Sequence, residues 1–169
     1  MIQALISKIV ILAILGGAQK FLRPSSLLRF SKVIFFISVI GIFALSAYWS
    51  FWQYKIWDSS EFTQAFLPPH RGIGYFMSYV FTNFFFNNLI ALGMAVLAII
   101  FAGILNKRFE EKFFWPAEPW ILGTAVLLIG HPWLWIYFIG FFGTYLLVTI
   151  IRSLFGLRDR VSPYYFWIP

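Results

Sequence analysis

Apolar residues in this chain fall in long blocks, cut by short clusters of charge, proline and glycine. Val33 to Trp52 carries no charge over 20 residues, about 30 Å of helix at ~1.5 Å per residue, which matches the hydrocarbon core of a bilayer. It runs into Tyr48, Trp49, Trp52 and Tyr54, rings of the kind that gather where a helix leaves the hydrocarbon. This block predicts a transmembrane helix.

The other blocks extend the pattern. Ile9 to Ala18 follows Lys8 and has the outline of a signal-peptide core, but Gln19-Lys20-Phe21-Leu22-Arg23-Pro24 offers no small-x-small cleavage site. Ala4 to Lys20 therefore reads as a retained first span, with a break and helix cap at Pro24-Ser25-Ser26. Gln53 to Gly72 balances Lys55 and Arg71 against Asp58 and Glu61, includes Pro68-Pro69, and reads as a loop. Gly74 to Leu105 is long for one span, and Ser78, Thr82, Asn83, Asn87 and Asn88 interrupt its first half. Two elements are expected: an interfacial aromatic helix over Ile73 to Phe86 and a span over Leu89 to Leu105. Pro119 to Gly130 and Pro132 to Ile151 form a helical hairpin broken at Gly130-His131-Pro132. The chain ends in Tyr164-Tyr165-Phe166-Trp167-Ile168-Pro169, which reads either as an interfacial anchor or as the approach to a further helix of a longer protein. The predicted fold is an all-α polytopic integral membrane protein with about five transmembrane helices and one interfacial aromatic helix, in a single domain over residues 1–169.

Composition narrows the class. Of 169 residues, 61% are hydrophobic and 11% charged, against roughly a quarter charged in soluble domains. A chain this short has too much surface to cover without polar residues, so a water-soluble globule is excluded. Nucleic-acid binding and disorder fit equally poorly. The 13 Lys and Arg against 6 Asp and Glu give a net charge of +7, but the basic residues cluster at 20–32, 107–112 and 152–160. A five-span threading puts all three clusters on one side, which the positive-inside rule assigns to the cytoplasm, with the N-terminus outside. The expected setting is the inner membrane of a bacterium or similar cell, and the expected partner is the lipid bilayer. Without cysteine, disulfides, thiolate metal sites and a cysteine nucleophile are excluded.

Few residues are candidates for chemistry. Glu118 stands just before Pro119, a favoured first helical residue, where free N–H groups and the positive dipole end favour a carboxylate. It reads as a structural acid at a helix start, or as a carboxylate able to activate water or bind a cation. Glu110 and Glu111 lie among Lys107, Arg108 and Lys112, and Asp159 lies between Arg158 and Arg160, so these read as paired surface charges. His131 falls in the turn some 13 residues from Glu118, roughly 20 Å along a helix, too far to share a site. His70, beside Pro69 and Arg71, reads as loop. Neither histidine has acidic or His neighbours at metal-ligand spacing, so no metal and no cofactor are expected. Asn83 and Asn87 share a helical face and read as wet interfacial amides or as bonds between spans. Gly16-Gly17 and Gly140 with Gly143 offer small surfaces for packing. Phosphate-cradling loops and the common hydrolase motifs are not present.

From Glu118 onward, the succession Glu118, Gly130 and Pro132, a second apolar helix, a basic loop and Arg160-Val161-Ser162-Pro163 with aromatics resembles the C-terminal half of the type IV prepilin peptidases. The resemblance implies an integral-membrane aspartic endopeptidase framework, with Glu118 on the position of the catalytic aspartate of a Gly-x-Gly-Asp motif. Here Trp115-Pro116-Ala117 replaces the glycine-rich part, and the resemblance covers about 50 of the 169 residues. An aspartic peptidase needs a second acid, one carboxylate ionised and the other protonated. Asp58 and Glu61 precede Glu118 in order, but the threading puts them on the opposite face of the membrane. The expected function is thus a degenerate, non-catalytic relative serving as scaffold or binding module, with other membrane proteins or prepilin-like peptides as further partners. The alternatives are an active peptidase acting on prepilin-like leaders, or an unrelated transporter subunit or assembly factor.

Overall fold

The computed structural model describes residues 2–21, 24–108 and 114–155. All regular elements among them are helical: α1 (Ile2–Phe21), α2 (Pro24–Ser59), α3 (Glu61–Gln64), α4 (Ile73–Val80), a π-helical turn (Phe81–Phe85), α5 (Phe86–Arg108), α6 (Glu118–Ile129) and α7 (Leu134–Leu154). Three stretches are long and apolar enough to cross a membrane, namely Ser26–Ser59, Ile73–Arg108 and Leu134–Leu154. The apolar part of α1, Lys8–Ala18, and the 12-residue α6 are shorter.

The helix α2 starts at Pro24 itself, since a proline fits the first helical position, where no N–H is needed; Ser25 and Ser26 thus lie inside the helix and do not cap it. Two other expectations change. The helix that begins at Pro24 runs to Ser59, through much of the segment read as a loop, because Gln53 to Trp57 extend its buried face to Trp57. Nor does the chain divide between an interfacial helix and a span near residue 86. Instead α4, the π turn and α5 follow one another directly, and the Phe86 N–H bonds the Phe81 carbonyl five residues back. A π turn adds a residue without ending the helix, so the polar cluster at 78–88 shifts the register and leaves the rod unbroken.

The core forms around α6. Every residue from Ile121 to Leu128 is buried, so this helix has no polar face and is surrounded by its neighbours. On α5, Ala95 and Ala102 join the same cluster, as do Leu27 and Phe35 of α2 and Leu134, Tyr137 and Phe141 of α7. Small residues let backbones approach closely where apolar surroundings supply no hydrophobic drive between helices. Gly123 provides the closest approach: a Cβ there would lie 2.5 Å from Ile99 Cδ1 and 3.5 Å from the Ala95 carbonyl oxygen. Of the glycines singled out from sequence, Gly17, Gly140 and Gly143 do not pack this way, since an added Cβ would meet nothing within 4 Å.

Specific contacts set the directions of the helices. Trp120 at the start of α6 meets Phe35 of α2 with ring centroids 5.7 Å apart, and the Phe114 N–H donates to Asn106 Oδ1 of α5 at 3.0 Å. At the other end, Ser46 of α2 meets Asn88 of α5. Hence α2 and α6 run in the same sense and α5 runs against both. The exposed cations Arg29, Lys32, Lys107 and Arg108 consequently share one end of the molecule. The opposite end carries a separate aromatic cluster of Trp57, Leu67, Phe76 and Val80, with Trp57 and Tyr79 rings 4.8 Å apart. There the Arg71 guanidinium lies 4.3 Å from the centre of the Tyr75 ring.

Candidate functional site

Glu118 opens α6 at the basic end of the core and is fully buried, with 0% of its surface exposed. Sequence position alone suggests an acid at the hydrated edge; burial arises because Ala117, Pro119 and Ile121 are buried around it. The first turn is closed by backbone groups. The Glu118 N–H donates to the Trp115 carbonyl at 2.9 Å, and the N–H groups of Trp120 and Ile121 both donate to the Ala117 carbonyl at 3.1 Å. Pro119 has no N–H to satisfy. The carboxylate therefore stands at the positive dipole end of a helix whose first amides already have backbone partners.

Trp120, next along, links this end to α2. Its ring packs edge-on against Phe35 and tilts against Phe36, with the Lys32 Nζ 5.3 Å from its centroid. Ser31 is fully buried nearby on α2 and donates to the Leu28 carbonyl. Thr124, also fully buried, donates to the Trp120 carbonyl at 2.8 Å.

A basic side chain lies at the far end of α6. Gly130 ends the helix with φ at +71°, and the Lys8 Nζ of α1 lies 3.9 Å from where its Cβ would be. An ammonium beside the last carbonyls of a helix complements the negative dipole end. In the sequence Lys8 is legible only as a flanking charge of the first span; its role here depends on α1 lying against the end of α6.

Asp58 and Glu61 do not meet Glu118. Phe35 packs at the start of α6, and Asp58 is about 35 Å further along α2 at ~1.5 Å per residue. His70 and His131 are both exposed. Glu110, Glu111, Asp159, and the aromatic end at 164–169 lie outside the described residues. Among the described residues no group of three His, Asp or Glu is placed to hold a metal ion.

Of the asparagines at 83, 87 and 88, Asn88 makes the bond between helices. Its Nδ2 donates to Ser46 Oγ and to the Phe84 carbonyl, both at 2.9 Å. Ser46 Oγ is also 3.0 Å from the Phe84 and Ile42 carbonyls. Asn83 and Asn87, which share a face in an uninterrupted α-helix, are exposed, and Asn83 bonds back to the Tyr79 carbonyl. The π turn moves Asn88 onto the packed side and brings the Phe84 carbonyl to two side-chain donors.

Comparison with protein-family models, with characterised proteins and with solved structures yields no match.

Proposed function

We propose that this chain is a polytopic inner-membrane protein whose packed helices act as a scaffold or binding module, a degenerate relative of the prepilin-type aspartic peptidases. In this reading α1 and α6 cross together with the three longer stretches, giving five passes. The basic end faces the cytoplasm, because Arg29, Lys32, Lys107 and Arg108 gather there while Lys55 and Arg71 balance Asp58 and Glu61 at the other end.

The observation that carries the reading is the placement of acids. Glu118 is buried in the core at one end of the helices, while Asp58 stands about 35 Å away along α2 and Glu61 follows just past its end in α3. Two carboxylates that share a proton to activate water must lie close together. Asp58 and Glu61 are therefore too far away to be the second acid of such a pair with Glu118, which stands at the N-terminus of α6.

Co-expression with a prepilin-like substrate tests this. The wild type should leave the leader intact, and Glu118→Gln, which keeps shape and an acceptor oxygen, should lower stability by no more than about 1 kcal/mol. Leader cleavage that is lost in Glu118→Gln, with the amount of folded protein unchanged, would establish a peptidase instead.

A further inference from the structure

Each of the two long central helices carries an exposed apolar stripe that ends in a pair of cations. On α2, Arg29, Lys32, Val33, Phe36 and Ile40 recur at spacings of three and four and are all exposed. Such residues lie on one helical face. On α5 the same holds in the reverse direction for Arg108, Ile104, Phe101, Ile100 and Leu97. Both cation pairs stand at the same end of the molecule, since α5 runs against α2.

We propose that this end binds anionic phospholipids, with headgroup phosphates on Arg29, Lys32, Lys107 and Arg108 and acyl chains along the two stripes. The inference rests on the membrane reading above and adds a lipid class and a leaflet to it. Charge complementarity carries it. The acids among the described residues are Asp58, Glu61 and Glu118; the first two are at the opposite end and Glu118 is fully buried. Glu110 and Glu111 follow Arg108 in the sequence, yet the clusters at 20–32 and 107–112 together hold seven basic residues against these two acids, so a cationic excess remains for headgroup phosphates. Lys32 is held at the rim by its position over the Trp120 ring. A lipid suits the surface better than a soluble anion does, because the cations sit directly above apolar faces that acyl chains cover. The opposite end, with two cations against two acids, offers no comparable attraction.

The test uses the purified full chain in vesicles of phosphatidylcholine alone and of equal parts phosphatidylcholine and phosphatidylglycerol. Tryptophan quenching by brominated forms of each lipid gives their relative affinity for the protein. The wild type should prefer phosphatidylglycerol, and each cation removed in Arg29→Gln, Lys32→Gln, Lys107→Gln and Arg108→Gln should weaken that preference by about fivefold. Arg29→Lys and Arg108→Lys, which keep the charge, should retain it, and high salt should abolish it. Equal affinity for the two lipids in the folded wild type, or a preference unchanged in the four-fold Gln variant, would overturn the proposal. So would loss of the preference on adding inorganic phosphate at an ionic strength matched with chloride, which would mark a site for a free anion. Release of the protein from phosphatidylcholine vesicles by alkaline carbonate would instead defeat the membrane reading itself, so the two failures are distinguishable.

Discussion

Gly123 of α6 faces Ile99 of α5 so closely that a Cβ on the glycine would come within 2.5 Å of both Cγ1 and Cδ1 of the isoleucine. The Ala95 carbonyl of the same helix lies 3.5 Å from that Cβ, so the α5 backbone also borders the site. Gly123→Ala should therefore destabilise the protein by about 1–3 kcal/mol, the usual cost of overpacking a filled core. Ile99→Ala in the same chain should recover part of that loss. Gly103→Ala, where nothing lies within 4 Å of the new methyl, should be neutral to stabilising by up to about 1 kcal/mol, since alanine favours a helix over glycine. Denaturant titration followed by circular dichroism in detergent compares the three; equal effects at Gly123 and Gly103 would refute the close approach.

Asn88 and Ser46 join α5 to α2 through a 2.9 Å hydrogen bond beside the π turn. Hydrogen bonds between membrane helices are worth roughly 0.6–2 kcal/mol. Asn88→Ala and Ser46→Ala should each cost about that much, and the double variant should cost less than their sum because both remove the same bond. Asn87→Ala, at an exposed position, should have no measurable effect in the same titration.

Gly130 and Lys8 close the C-terminal end of α6. The backbone at Gly130 has φ +71° and ψ 169°, a region reserved almost wholly for glycine, so Gly130→Ala should cost about 1–3 kcal/mol. Lys8→Met should cost less, about 0.3–1 kcal/mol, through loss of the favourable charge at the helix end. Thermal unfolding in detergent should rank the two in that order, and the reverse ranking would contradict the geometry.

Those sites differ in how far they can be read from sequence. The uncharged block at 33–52, the proline break at 24 and the glycine turn at 130 are local features, and each has a local cause: burial in an apolar medium, a missing N–H, or a positive φ. The unbroken run from α4 into α5 is not local in this sense. Asn83 and Asn87 look like an interruption, but one extra residue in a π turn carries the helix past them and turns Asn88 inward. The burial of Glu118 and the approach of Gly123 to Ile99 depend on which helices surround α6, which residue types alone do not specify. Glycines at 140 and 143 show the converse, small residues whose spacing suggests packing on a face that meets no helix among the described residues.

The central claim is that α2 and α5 cross the bilayer with their basic ends in the cytoplasm and the aromatic cluster outside. Because the chain contains no cysteine, single cysteines report position without background. In right-side-out vesicles, a membrane-impermeant maleimide should label Phe62→Cys, at the exposed aromatic end, while Arg29→Cys and Lys107→Cys react only after detergent opens the vesicles. Labelling of Lys107→Cys from outside in sealed vesicles, or of all three positions from one side, would contradict the account.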